Sequence, residues 1–415
     1  MCAGSQADLS RVSGEGVISM EFGLIEDHRE DHFRSGEGSA VELKDGRLLL
    51  MYTAFRNDGH ADHSPAEIWA CLSADAGRMW SEPSVTFQAP EGAINVMSPS
   101  LRRLADGRIG CVFAVKWDTT HCVPFWTSSL DEGETWAEPR AMTAEVGYFC
   151  INNDRLIQLR DGSLVMPYAQ HKGIVRFAND KELLKEWLNA WCGILHSRDG
   201  GETWEMPDTA RRYEKEWNVP PDPLCLESMP PLEQRAVREK YDVLQEPGVI
   251  ELQDGRLMMW ARSLSHIFHS FASDKDGPWS HYMAIPGMNV SCSPQTIKRV
   301  PLTDDLVMLY NDRGEIPFGS PSFQDRTPLS VALSKDEGQS WQKVKALEPD
   351  TSKNYCYAGL LFFGGKFLAT YYESADARNE DGSLKYREDG TRRQRNLASL
   401  KSCRGEQSEL IGAAV

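Results

Sequence analysis

The sequence has no run of 18 apolar residues, no Cys-x-x-Cys pair and no surplus of basic groups. Each absence removes a class of function. Without a long apolar run no transmembrane helix is expected. Met1–Met20 is polar and lacks the basic stretch followed by an apolar core that marks a secretory leader. Ten cysteines are scattered singly, so a zinc cage is not expected. Cys111, inside Gly110-Cys111-Val112-Phe113, reads as a small buried hydrophobe. Together these features predict a reducing, cytoplasmic setting, with a mature chain already stripped of its leader as the alternative. The 61 acidic residues exceed the 45 basic ones, giving a net charge of -16. That field repels nucleic acids and anionic membranes, and neither is expected as a partner. An anionic small molecule remains compatible if arginines dominate one pocket. The isolated histidines, His121 and His266 among them, lack metal-ligand spacing, and no metal or cofactor is expected.

What the sequence does have is repetition. The pattern Ser-x-Asp-x-Gly-x-x-Trp occurs four times, as Ser73–Trp80, Ser129–Trp136, Ser197–Trp204 and Ser334–Trp341, with a worn copy at Ser273–Trp279. From average composition one match is expected in roughly one chain of this length in several hundred. The residue types describe a capped turn: the aspartate accepts backbone hydrogen bonds, the glycine supplies a positive φ and the indole covers the turn. Their predicted role is structural.

A second series alternates with the first. Apolar strands flank turns at Asp45-Gly46, Asp106-Gly107, Asp161-Gly162, Asp254-Gly255, Asp304-Asp305 and Gly364-Gly365. Asp-Gly between apolar alternations is a strong hairpin signal. The turns recur every 50 to 61 residues, except for 93 between Asp161 and Asp254. Six such units predict an all-β fold, a six-bladed β-propeller formed by residues 1–415 as one domain. The strand-like stretch Val17–Leu24 is placed to supply the outer strand of the last blade and close the ring. The long gap carries an insertion at about 179–245. It comprises an amphipathic helix predicted over Asn179–Trp191 and a Pro-rich stretch with Val219-Pro220-Pro221-Asp222-Pro223.

These boxes, alternating with Asp-Gly hairpins, resemble the sialidase (neuraminidase) superfamily, and the resemblance spans nearly the whole chain. It implies an exo-glycosidase acting with retention on a terminal sialic acid or related acidic sugar. Three arginines would grip the sugar carboxylate, a tyrosine assisted by a glutamate would attack, and an aspartate would act as general acid/base. A neutral phenol is a sensible nucleophile here, because a carboxylate would be repelled by the substrate's own carboxylate. Arginine suits the clamp through its planar, permanently charged fork.

Mapped residue by residue, the resemblance implies that Glu246 is the tyrosine's partner and Arg262 a clamp arginine. They bracket the Asp254-Gly255 turn eight residues to either side, so a hairpin brings them together. Arg326, before Ser334, resembles another clamp arginine. Tyr357 is the expected nucleophile, with Tyr355, two residues away and so read as sharing its strand face, as the rival. Arg34, in Phe33-Arg34-Ser35-Gly36-Glu37-Gly38, stands where the family has Arg-Ile-Pro; Glu37 departs from that pattern and brings a carboxylate close. Asp62 is the expected acid/base, with Asp58 as the alternative. Asn153, Asp154 and Arg155 are candidates for sugar-hydroxyl contacts or for a satisfied network at a sheet end. Asn95 and His171 stand at the same mouth, and Glu373 is expected to be structural. Two other readings keep the propeller. One is an arabinanase-like enzyme on a neutral sugar using carboxylates from Glu37, Asp62, Asp154 and Glu246; the other is a non-catalytic carbohydrate-binding scaffold. The expected partner throughout is a glycan or glycoside.

Overall fold

A computed structural model describes residues 20–28, 32–56, 64–171, 190–210, 244–263, 266–291, 293–314, 325–376 and 394–412, together with Asn379, Asp381, Ser383 and Lys385. The helix expected from 179, apart from its last two residues, lies outside the described residues. So do most of the Pro-rich stretch and both Asp58 and Asp62.

The described strands form six antiparallel groups, each a meander. After β1 (Glu21–Glu26), the first blade is β2 (His32–Glu42), β3 (Leu48–Arg56), β4 (Ala66–Ser73) and β5 (Ser84–Phe87). The second is β6 (Asn95–Arg103), β7 (Ile109–Lys116), β8 (Cys122–Ser129) and β9 (Arg140–Ala141). In the third, the inner strand is split into β10 (Tyr148–Cys150) and β11 (Ile157–Gln158), followed by β12 (Leu164–His171) and β13 (Trp191–Ser197). The fourth is β14 (Gln245–Glu251), β15 (Leu257–Arg262), β16 (His266–Ala272) and β17 (Met283–Asn289). The fifth is β18 (Thr296–Arg299), β19 (Leu306–Asn311), β20 (Leu329–Ser334) and β21 (Gln342–Glu348). The sixth is β22 (Lys353–Phe363), β23 (Lys366–Asp376) and β24 (Gln394–Glu406), with β1 paired against β24 as its outer strand. A short helix, α1 (Gln407–Ile411), ends the described chain.

Single-pair parallel bridges join one blade to the next: Ala66 to Asn95, Cys122 to Tyr148, and Ala398 to Arg34. The last of these joins the sixth blade to the first. Together with β1, this is the ring closure expected from the Val17–Leu24 stretch. Glu21 is held there by Arg78 at 2.9 Å and by Arg404. Deletion of residues 1–25 is therefore expected to leave the edge of β24 bare and to abolish soluble, cooperative folding. A truncated chain that melts in one transition at the parent temperature would reject this.

Strand alternation explains why the second strand of a blade, such as β3, reads as a continuous apolar run. Along β3, Leu49 and Met51 face the second blade and pack with Val96, Leu101, Cys111 and Phe113. Leu50 and Tyr52 point the other way, toward Leu400 of the sixth blade. Each blade is a sheet buried on both faces, and its period-2 pattern feeds two cores.

The box turns have the predicted geometry. Ser73 Oγ donates to Asp75 Oδ1 at 2.8 Å and accepts the Gly77 N–H at 2.8 Å, while the Arg78 and Met79 N–H groups donate to the same carboxylate oxygen. The Ser129, Ser197 and Ser334 turns repeat the serine contacts. In the worn copy, Asp274 caps the turn by accepting from the Asp276 and Gly277 N–H groups, and Asp276 pairs instead with Arg198.

Candidate active site on the propeller axis

Inner strands in a propeller converge on the axis, so their irregularities decide what stands there. Pairing slips at the same level in β2 (between Gly36 and Ser39), β6 (Met97 and Ser100), β14 (Gln245 and Gly248) and β22 (Cys356 and Gly359). In the third blade the inner strand is interrupted between Cys150 and Ile157. Each irregularity holds one residue in the left-handed region: Glu37 (φ 57°), Ser98 (58°), Asp154 (57°), Glu246 (47°) and Tyr357 (53°). None is glycine, so each conformation costs about 1 kcal/mol or more and is held by its surroundings. Bulges of this kind re-aim a side chain, and here they gather five polar residues near one axis. Local packing fixes them. A Cβ on Gly248 would sit 2.0 Å from the Trp260 indole, and one on Gly359 would sit 2.4 Å from the Gly38 carbonyl oxygen.

Two of these residues meet directly. Tyr357 Oη donates to Glu246 Oε1 at 3.0 Å, and both residues are buried. The other Glu246 oxygen lies 2.7 Å from Arg262 Nε, a charge contact without hydrogen-bond alignment. Arg262 also donates to Gln245 Oε1 at 2.9 Å. Arg326 lies over the Tyr357 ring, 5.6 Å from its centroid. Its Nη1 donates to Tyr372 Oη at 2.7 Å and to Cys356 Sγ at 2.9 Å. Tyr372 packs against Tyr357 with ring centroids 5.7 Å apart. Burial raises the Tyr372 phenol above its ordinary value, opposed by the charges of Arg326 and Arg34. Arg34 itself stacks on Phe55 at 3.8 Å. The structure thus brings Arg34, Arg262 and Arg326 around one tyrosine pair.

Tyr355 is elsewhere. The bulge after Cys356 breaks the alternation, so the expectation that Tyr355 and Tyr357 share a strand face is corrected. Tyr355 is fully buried among Val307, Leu309 and Tyr371, with its hydroxyl 3.4 Å from the Asp350 carbonyl oxygen. Glu373 pairs with Lys353 at 2.9 Å, a structural contact as expected.

Asn153, Asp154 and Arg155 turn inward, and their contacts form the network alternative. Asn153 Nδ2 donates to the carbonyls of Gly38 (2.7 Å) and Tyr357 (3.1 Å). Asp154 accepts from the Leu360 N–H (2.8 Å), Lys298 Nζ (2.7 Å) and Ser39 Oγ (3.3 Å). Arg155 donates to the Gln295 carbonyl (2.6 Å) and Thr296 Oγ1 (3.2 Å) and lies over Trp260. This segment crosses the axis and ties the third blade to the inner strands of the first, fifth and sixth. Burial lowers the Arg155 guanidinium to about 10, against the pull of Asp154 and Glu246. Glu37 Oε2 accepts from Thr53 Oγ1 (2.7 Å) and from the Ser98 N–H and Oγ (both 3.1 Å). Asn95 is buried and donates to the Ser64 carbonyl, while His171 packs edge-on against Tyr148.

Tyr372 is the site residue that sequence reasoning missed. Its signal was present: Cys356 and Tyr372 flank Gly364 by eight residues on each side, as Glu246 and Arg262 flank Asp254. Cys356 does pair with Tyr372, and Gln245 with Arg262, each just before its bulge.

Residues 46–367 match the model of the BNR repeat-like domain. The chain is 23% identical over 373 residues to a sialidase of Bacteroides fragilis, covering 81% of this chain and 59% of that protein. It is 25% identical over 222 residues to a sialidase of Paraclostridium sordellii, covering 46% and 48%. It therefore spans less than two thirds of the curated relatives it matches. Among solved structures, the Hadza microbial sialidase Hz136 superposes with a TM-score of 0.62 at 16% identity, covering 92% of this chain and 67% of that one. Trypanosoma rangeli sialidase in complex with sialic acid gives 0.59 at 14% identity, covering 92% and 56%. The fold is that of the sialidase β-propellers, and no described helix is long and apolar enough to cross a membrane. The chain belongs to the BNR repeat-like family of the sialidase superfamily.

Proposed function

We propose that the protein is a sialidase-type glycosidase that cleaves a terminal sialic acid or related acidic sugar with retention. One observation carries the reading: the buried Tyr357 hydroxyl donates to Glu246, and arginines surround the pair. In the first step Glu246 Oε1 takes the phenolic proton as Tyr357 Oη attacks the anomeric carbon. Arg262, against the other oxygen of Glu246, fixes the carboxylate's orientation and balances its charge. The leaving oxygen needs a proton, and Asp62 is the proposed donor. In the second step a water displaces Tyr357 from the sugar with the same group acting as base, and the proton returns to the phenol.

Arg34, Arg262 and Arg326 are the proposed carboxylate clamp. Against a net charge of -16, a local cluster of guanidinium groups is what draws an anionic sugar to this point. The carboxylate-only reading for a neutral sugar has less support. Asp154 already accepts three hydrogen bonds, and one Glu37 oxygen also accepts three.

The test is a panel of aryl glycosides. Release of the aryl group from an α-sialoside or a deoxy-nonulosonic analogue, but not from an α-L-arabinofuranoside, is expected. Arg326→Ala should raise KM on the acidic sugar by about tenfold or more, the loss of one charge-assisted contact. Turnover of the arabinoside with an inert sialoside would reject the proposal.

A further inference from the structure

Arg262 and Arg326 are held in different ways. Arg262 Nε lies 2.7 Å from the Glu246 carboxylate, so part of its charge is balanced by the protein's own anion. Arg326 Nη1 is held instead by a phenol and a thiol, Tyr372 Oη at 2.7 Å and Cys356 Sγ at 2.9 Å. Ser293 Oγ hydrogen-bonds the same sulfur at 3.1 Å. The main chain of Arg326 is pinned as well. Its N–H donates to Asn354 Oδ1 at 2.9 Å, and its carbonyl accepts from Asn311 Nδ2 at 2.8 Å and from the Tyr355 N–H at 2.7 Å. The residue is thus fixed at its backbone and at one guanidinium nitrogen.

Three strands build Tyr372 into this arrangement. It stands on β23 directly opposite Cys356 of β22, so one cross-strand pair supplies both groups that hold Nη1. Its ring packs against Tyr357, with centroids 5.7 Å apart. From β2, Gly36 comes so close that a Cβ there would lie 3.0 Å from Cδ1 and 3.1 Å from Cβ of the tyrosine. Gly36 is two residues from Arg34, which pairs with Ala398 where the sixth blade meets the first. Ala398 in turn belongs to one buried cluster with Cys356, Tyr357 and Tyr372. Burial keeps the phenol protonated and neutral. Apolar packing fixes the ring, and the hydroxyl is what the ring presents to Arg326.

We propose that Tyr372 is a positioning residue for the carboxylate clamp: it holds Arg326 at Nη1 and ties that guanidinium to the strand carrying Arg34, without setting a negative charge against it. The Glu246 carboxylate orients Arg262 but also offsets its charge. A phenol orients Arg326 and leaves the charge to the anionic sugar. The role of Tyr372 rests on the glycosidase reading, since the group that Arg326 would meet is the sugar carboxylate.

The test is Tyr372→Phe, alone and combined with Arg326→Ala, on an acidic aryl glycoside and on a non-hydrolysable acidic sugar analogue. The exchange removes one oxygen and keeps the ring in its packing, which thermal melting verifies. In the single variant, KM and the calorimetric Kd of the analogue are expected to rise by about tenfold, the loss of one hydrogen bond to a charged group. Turnover should change little, with kcat within about threefold of the parent. In the Arg326→Ala background the same exchange should change KM by less than about twofold, because no guanidinium is left to position. Equal losses in both backgrounds would assign Tyr372 to packing alone and overturn the proposal. So would KM and Kd within about twofold of the parent, or a fall in kcat at constant KM. A parent that neither cleaves nor binds an acidic sugar overturns the glycosidase reading itself, whereas an active parent unaffected by Tyr372→Phe overturns only the role of Tyr372.

Discussion

Tyr357→Phe is expected to reduce kcat/KM on whichever aryl glycoside the enzyme accepts by on the order of a thousandfold or more. The substitution removes one oxygen atom. The ring keeps its packing against Tyr372 and its place beneath Arg326, and Glu246 keeps Arg262. Binding of a non-hydrolysable acidic sugar analogue, measured by calorimetry, should therefore survive while turnover is lost. Tyr355→Phe provides the contrast, since it forfeits only a 3.4 Å contact to a carbonyl inside the core and should leave kcat within about twofold. Unchanged turnover by Tyr357→Phe would reject the nucleophile assignment.

Asp154→Ala is expected to destabilise the fold by about 3 kcal/mol, the range for removing one partner of a buried pair. It would leave the Leu360 N–H without its acceptor and the Lys298 ammonium without its carboxylate partner. Asp154→Asn should fall between the two, because an amide oxygen still accepts from Leu360 while the charge is gone. Denaturant midpoints measure the series, and coincident midpoints for Asp154→Ala and the parent would refute the role.

The two predictions rest on features that were unequally legible in the sequence. The fold and the meeting of Glu246 with Arg262 follow from repeats and from counting residues about a turn, because antiparallel pairing is symmetric about its hairpin. The position of Tyr355 does not follow. Alternation fails at a bulge, and nothing in Tyr355-Cys356-Tyr357 announces that Tyr357 adopts a left-handed backbone. Asn153, Asp154 and Arg155 were equally opaque for a different reason. Their partners are backbone groups and side chains of Gly38, Gln295, Tyr357 and Leu360, more than a hundred residues away, and such contacts leave no periodic trace. Tyr372 was legible by the same count that found Arg262, but only once the sixth hairpin was treated as equivalent to the fourth.

The pairing of β1 with β24 has a consequence for how the chain is made. β1 leaves the ribosome early, yet the strand it pairs with follows roughly 370 residues later, on the order of half a minute of synthesis at about 5–20 residues per second. During that interval β1 has no sheet to join. Its Phe22 and Leu24, which stay outward even in the finished ring, are open to any other unpaired strand. The nascent chain is thus most vulnerable to aggregation before its sixth blade exists, and holding β1 apart until then is a task that falls outside the protein's own interactions.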